Sequence, residues 1–403
     1  MTPALPLSGI RVLDLSTVIF GPYAAQWLAD LGAEVIKVEA PGGDSTRRTG
    51  PSKEANMAAV FLGSNRNKQS LGVDLKSAEG REALAALVAT ADVFMHNMRP
   101  QKIKALGFDA ATLRARHPGL IYASFHGYGE DGPYAGRPAY DDVIQGQSGI
   151  ADLFHQRDGQ PAYAPTVMAD KTCGLVGALS IMAAIVKRQR SGVGSHVEIP
   201  MFETMTAFTL VEHLYGHHFN PPMGEPGYTR MAAAWRRPYP TADGHVCMLP
   251  YTDQHWQVFF TDSGHPELAA DPRFADITAR TANIEALYGA AAEIALTRTT
   301  QAWIDFGIEH EIPMTRVGTL KGLASDEHLK AVDFFAHVQD AQMGEVMWPG
   351  VPVKFDGQRP GVRMAPRLGE HTQAVMHSAG YAADDVQRLL QSGALFAHAT
   401  PQT

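Results

Sequence analysis

Along the first two hundred positions, apolar residues alternate between two rhythms. Short runs, Ile10-Arg-Val-Leu-Asp-Leu-Ser16 and Glu34-Val-Ile-Lys-Val-Glu39, have the length and content of strands. Between them residues 23–31 carry apolar side chains at helical spacing, after a turn marked by Gly21-Pro22 and before Gly32. Strand, turn, helix and strand within about thirty residues form a βαβ unit, whose crossover requires a parallel sheet. The rhythm continues with strands at 71–75, 92–96 and 120–124, helices at 78–89, 100–106 and 110–117, then a strand at 196–200 and a helix at 201–215. The expected fold is α/β, with a Rossmann-like doubly wound parallel sheet.

The composition changes at Pro221, Pro222, Gly224, Pro226 and Gly227, a pattern that interrupts both rhythms. Residues 1–200 are assigned to the large domain, 201–227 to a linker and 228–313 to a smaller α+β domain with a strand at 245–249 and helices at 252–264 and 281–297. Residues 314–403, with helices at 372–378 and 383–391, are expected to return to the large domain.

Charge and composition narrow the chemistry. The 403 residues are 45% hydrophobic, ample for a core, and 34 Lys+Arg against 42 Asp+Glu give a net charge of −8, which argues against a nucleic-acid partner. Cys173 and Cys247 form neither a disulfide framework nor a thiolate metal cluster. The N-terminal residues have no basic and apolar leader pattern, and no run of 18 uncharged apolar residues occurs, so a cytoplasmic protein without a membrane partner is expected. After the first strand there is Phe20-Gly21-Pro22 in place of G-x-G-x-x-G, which argues against NAD or FAD. His213, His217 and His218 lack a completing acid, Glu309-His310-Glu311 lacks H-E-x-x-H spacing, and no metal site is expected.

Residues 174–190 are apolar on nearly every side, basic in the last turn and stopped by Ser191-Gly192. Asp170 stands at the entrance to this helix. Asp is a common N-cap, which accounts for it on local pattern alone; its small neighbours, Ala169 and Gly174, also leave room for a substrate carbonyl. Arg47, Arg48, Lys68, Asn97 and Arg99 fall in loops after strands, where a doubly wound sheet binds ligands, and together they have the charge to hold phosphates.

Several segments, in order, resemble the class III CoA-transferases, the family of formyl-CoA transferase and carnitine CoA-transferase that is related to α-methylacyl-CoA racemase. They include Leu7-Ser-Gly-Ile-Arg-Val-Leu-Asp14 with Gly21-Pro22, Leu31-Gly-Ala-Glu-Val-Ile-Lys-Val-Glu39, Asn65-Arg-Asn-Lys68 and Asn97-Met-Arg-Pro100. Gly127-Tyr-Gly129 with Asp131-Gly-Pro133, Ala169-Asp170 and Ala365-Pro-Arg-Leu-Gly-Glu-His-Thr372 complete the set. The resemblance implies an interlocked homodimer, CoA and acyl-CoA as substrates with no tightly bound cofactor, and Asp170 as nucleophile. It further implies that Lys37, Lys68, Asn97, Arg99 and the backbone at Val18 and Ile19 hold CoA.

Two departures shape the substrate expectation. The region of the family's glycine run reads Arg236-Arg-Pro-Tyr-Pro here, which disfavours formyl or oxalyl groups and offers Arg236 and Arg237 to a second carboxylate, as in small dicarboxylates. Ala40 replaces an arginine common among relatives. Where the racemases carry a His-Asp pair the chain has Tyr140-Asp141, and a phenol with a pKa near 10 is a poor base, which favours transfer over racemisation. A 2-methylacyl-CoA racemase and a non-catalytic CoA-binding protein are the alternatives, with Tyr140 a substrate contact in the transferase reading.

Overall fold

Apolar runs that are buried on both faces build the centre of a sheet. In the computed structural model, which describes residues 4–398, the first six strands are β1 (Arg11–Asp14), β2 (Glu34–Glu39), β3 (Gln69–Val73), β4 (Val93–His96), β5 (Ile121–His126) and β6 (His196–Pro200). Neighbouring pairs among them are parallel, in the order β3-β2-β1-β4-β5-β6. The strand Leu395–Phe396 extends the β3 edge antiparallel, with Leu395 opposite Val73. This sheet belongs to the larger of two units, formed by the described residues up to 148, 164–207 and from 328 onward. Its core joins Leu13, Ile36, Leu71 and Phe94 of the sheet to Met376, Leu389 and Leu395 near the C-terminus.

The long helix Met168–Ser191 starts two residues before Asp170, so Asp170 lies in its first turn and is not its N-cap. Its N-cap, Val167, supplies no side-chain acceptor. The acceptor comes from elsewhere: the amide of Asp170 donates to Asp141 Oδ1 at 2.9 Å. At the other end Gly192, with φ of 71°, donates its amide to Arg188 O, a left-handed stop that suits glycine. Gly177 lets the helix approach the sheet, since a Cβ there would lie 2.5 Å from the Phe125 ring.

The second unit comprises residues 149–163 and 208–327. Strands β7 (Tyr239–Pro240), β8 (His245–Met248) and β9 (Met314–Arg316) form a small antiparallel sheet, so residues 314–316, which the pattern assigns to the returning segment, pair with β8. Its core centres on Trp256, Phe259, Leu287, Tyr288 and Trp303. Trp303 lies on the helix Thr300–Glu309, absent from the sequence expectation, as is the hairpin of β10 (Phe335–Asp340) and β11 (Gly344–Pro349) in the larger unit. In that hairpin half-buried positions alternate with exposed ones and only Trp348 is fully buried, so the apolar signal is shallow.

Beneath the C-terminal end of β1 the larger unit buries alternating charges. Lys68 Nζ donates to Asp14 Oδ2 at 3.0 Å, Pro22 O at 2.9 Å and Asn65 Oδ1 at 2.9 Å, which uses all three ammonium protons. Lys37 Nζ lies 3.0 Å from Asp44 Oδ2 and donates to Ser16 O at 2.9 Å. Arg47 pairs with Glu39 at 2.6 Å and stacks 3.7 Å over the Phe61 ring. Burial pulls the Lys68 ammonium down to about 8 despite Asp14; burial raises the Asp14 carboxyl, but Lys68 and Lys37 outweigh it and hold it below its ordinary value. Removing one partner of such a pair strands the other charge. Lys68→Met is therefore expected to lower unfolding free energy by about 3–5 kcal/mol, and exposed Arg48→Ala by under about 0.5 kcal/mol, measured by urea denaturation; equal midpoints for the two variants would contradict this.

Candidate active site

The strand order reverses direction between β1 and β4, and in such sheets the crevice beyond the carboxyl ends at that point receives ligands. Asn97, just after β4, bridges it: Oδ1 accepts from Thr17 N at 3.0 Å and Nδ2 donates to Thr17 O at 2.8 Å. A cavity of about 230 Å³ opens here, and its wall includes Val18, Asn97, Arg99, Tyr140 and Asp170. Five residues singled out from the sequence thus come together from four separate segments.

Val18 holds φ at 73°, a left-handed conformation that costs a β-branched residue about 1–2 kcal/mol. Its amide is 3.2 Å from Asp44 Oδ2, and Lys37 grips Ser16 O two residues earlier, so the buried charges fix this part of the wall.

The other expected CoA ligands lie elsewhere. Lys37 and Lys68, expected at the phosphates, are buried with their donors committed to protein acceptors, and Arg47 is likewise enclosed by Glu39 and Phe61. Arg48 is bonded to Gly42 O at 2.8 Å, outside the cavity wall. Ile19 precedes the helix Phe20–Asp30, where its carbonyl accepts from Tyr23 N, while Val18 and Phe20 on either side line the cavity. Arg236 and Arg237 belong to the second unit, where Arg237 donates to Asp158 Oδ1 at 3.1 Å and to Ala234 O at 2.6 Å. Sequence reasoning missed Arg137 and His126. Arg137 lines the cavity with its guanidinium 4.3 Å above Tyr134, and among the described residues neither it nor Arg99 has a carboxylate partner. His126 also lines it, with Nε2 2.6 Å from Glu130 Oε1; burial keeps its pKa below the ordinary value despite nearby Glu198. The glycine- and proline-rich loop before Tyr140 was the available signal for Arg137; nothing in the strand pattern marked His126.

Asp170 is 9% exposed, in the third position of its helix. Burial, and then the adjacent Asp141, push its carboxyl pKa up to about 7. Gln145 Nε2 holds Asp141 Oδ2 at 2.5 Å and Gln145 Oε1 accepts from Ala164 N at 2.9 Å, so the capping carboxylate is itself oriented. The cavity therefore combines a poorly solvated carboxylate with two uncommitted guanidiniums, an arrangement suited to attack on a carbonyl of a phosphate-bearing substrate. A carboxyl whose folded pKa lies above its unfolded value binds more protons when folded, so it lowers stability as pH rises between about 4 and 7. Asp170→Asn is expected to stabilise the chain above pH 7 by on the order of 1–4 kcal/mol and to flatten that part of the pH profile; thermal unfolding at pH 5 and pH 8 measures it, and an identical decline in both proteins would refute it.

Comparison with known proteins identifies the family. The family model described as CoA-transferase family III matches residues 7–372. A succinate–glutarate CoA-transferase of Agrobacterium fabrum is 32% identical over 92% of this chain and 95% of its own length. A probable fatty acyl-CoA transferase of Mycobacterium tuberculosis, Rv3272, is 36% identical over 75% of this chain and 80% of its own. A crystal structure of that protein aligns with 93% of this chain and all of its own at a TM-score of 0.80 and 30% identity. A Brucella suis protein of the CAIB/BAIF family aligns with 94% of this chain and all of its own at 0.77 and 31%. The chain belongs to CoA-transferase family III and is an enzyme of that family.

Proposed function

We propose that the enzyme moves CoA from an acyl-CoA thioester to a free carboxylic acid, with Asp170 as the covalent nucleophile. The observation that carries this reading is the buried Asp170 carboxylate on the wall of the cavity at the strand-order reversal. Attack by the carboxylate on the thioester carbonyl breaks the C–S bond, expels CoA thiolate and leaves a mixed anhydride. The thiolate then attacks the aspartyl carbon, frees the donor acid as a carboxylate and forms an aspartyl-CoA thioester. The acceptor carboxylate attacks that thioester, expelling thiolate again. Return of the thiolate to the acceptor's carbonyl carbon releases the new acyl-CoA and regenerates Asp170. Each intermediate is water-sensitive, so a cavity that limits water favours transfer over hydrolysis.

Arg99 and Arg137 supply the cations for CoA phosphates, and the Val18 and Asn97 segments shape the wall against the rest of the cofactor. For the acid, the named relatives point two ways, one to succinate and glutarate and one to fatty acyl groups. The sequence expectation of small dicarboxylates such as itaconate or mesaconate rested on Arg236 and Arg237; the Asp158 and Ala234 contacts of Arg237 weaken its half of that argument.

The chain is proposed to act as an interlocked dimer in the cytoplasm. The supporting observation is that the long helix is apolar on its outer face, with Leu175, Val176, Leu179 and Val186 all exposed. By length and composition this helix is apolar enough to cross a membrane; Asp170 and the tight Gly177–Phe125 approach on its inner face favour a second copy as the cover instead.

Asp170→Asn is expected to keep its fold and acyl-CoA binding and to lose transfer, while hydroxylamine plus acyl-CoA modifies Asp170 in the wild type. Arg99→Ala is expected to raise the acyl-CoA KM more than it lowers kcat, as loss of ground-state binding does. Transfer by Asp170→Asn, or modification mapped to another residue, would remove the nucleophile assignment. For assembly, sedimentation should give twice the chain mass for the wild type and a smaller species for Leu179→Glu; a monomeric wild type sinks the dimer.

A further inference from the structure

The second unit contains a group of hydrogen-bond donors that lacks an acceptor. Arg230 is 4% exposed; its Nη2 donates to Tyr288 Oη at 3.2 Å, and its Nε, also buried, has no partner among the described residues. Arg236 Nη1 donates to the same phenol oxygen at 2.8 Å. Two guanidiniums thus saturate the lone pairs of Tyr288, and its own proton has no acceptor among the described residues. The groups that face Arg230 are the phenols of Tyr288, Tyr228 and Tyr251. Among the described residues no carboxylate pairs with Arg230 or Arg236, whereas adjacent Arg237 has Asp158. Arginine cannot shed its charge when buried, so the usual relief of an unpaired ionisable group is closed to it. The group such donors call for is an anion.

The adjoining space identifies the anion's body. Arg236 and Tyr288 sit in the wall of a cavity of about 480 Å³ whose other sides include Tyr239, Met248, Leu249 and Met314. That volume falls within the range of small-molecule sites, about 300–1,000 Å³. Carbon chains are favoured against the apolar part of that wall, and the other guanidinium lining it, Arg237, is already paired with Asp158.

We propose that Arg236 and Tyr288, with Arg230 behind them on the Tyr288 hydroxyl, form a carboxylate-recognition site whose ligand is a carboxylic acid with an apolar chain lying in the adjoining cavity. A guanidinium offers a carboxylate two parallel donors, and the Tyr288 hydroxyl adds a third. The proposal rests on the transferase reading, in which a free acid is a substrate, and narrows that acid from short dicarboxylates to chains of apolar carbon. Arg237 lines the same cavity, with its charge already met by Asp158.

The test uses the full-length Asp170→Asn protein, in which acid binding is separated from chemistry, and isothermal titration with octanoate, 1-octanol, succinate and inorganic phosphate. Octanoate is expected to bind saturably and more tightly than the other three. Arg236→Met and Tyr288→Phe are each expected to weaken it at least tenfold. Tyr288→Phe removes one hydroxyl and keeps the ring in the core, so it gives an answer even if Arg236→Met fails to fold. Unchanged octanoate affinity in Tyr288→Phe, or succinate or phosphate binding as tightly as octanoate, overturns the proposal. Transfer activity retained by Asp170→Asn would defeat the nucleophile assignment alone, since the titration reads binding in either case.

Discussion

Four buried charges beneath the end of β1 set the conditions for the site above them. Asp14, Lys68, Lys37 and Asp44 alternate in sign within the larger unit, and each is held by hydrogen bonds as well as by its counter-ion. A charge in this position is affordable only in company. The consequence is rigidity: Ser16 O is tied to Lys37, Val18 N to Asp44 and Pro22 O to Lys68, so the turn leaving β1 is fixed at three points. That anchoring lets a β-branched residue stay left-handed at the cavity wall. The lysines expected at a ligand's phosphates instead determine the shape that the ligand meets.

The sheet was legible because its strands are short, mainly apolar runs separated by glycine turns and amphipathic helices. Runs such as Val35, Ile36 and Val38 have few other ways to be buried. Elements with a weaker pattern escaped notice, as with the β10–β11 hairpin, where period-two burial is shallow and Trp348 alone is fully buried. The start of the long helix was misread for a different reason. Local sequence shows which residues can cap their own helix, and Asp141, 29 positions away, caps this one.

Asp170 was legible as a carboxylate with small neighbours; the charge balance around it was not. Loop position gave Arg99 and Asn97 correctly to the cavity wall, because both follow β4 directly at the strand-order reversal. Position did not distinguish Lys68 from them, since whether a lysine faces a ligand or a buried aspartate depends on a partner 54 residues away. The same applies to Arg236 and Arg237, neighbours in sequence whose contacts, a phenol for one and an aspartate for the other, give them different chemistry.

The strand Leu395–Phe396 pairs with β3, and its Leu395 completes a core begun by Leu13. During synthesis the larger unit therefore cannot close its sheet edge or fill its core until residues 395–396 have been made. The middle unit, all of whose residues precede 328, has its complete set of aromatic core residues well before that. Vectorial synthesis thus favours folding from the middle outward. Until the last strand arrives, the β3 edge is an open template on the nascent chain, and translation speed through the codons for residues 328–396 becomes a determinant of yield.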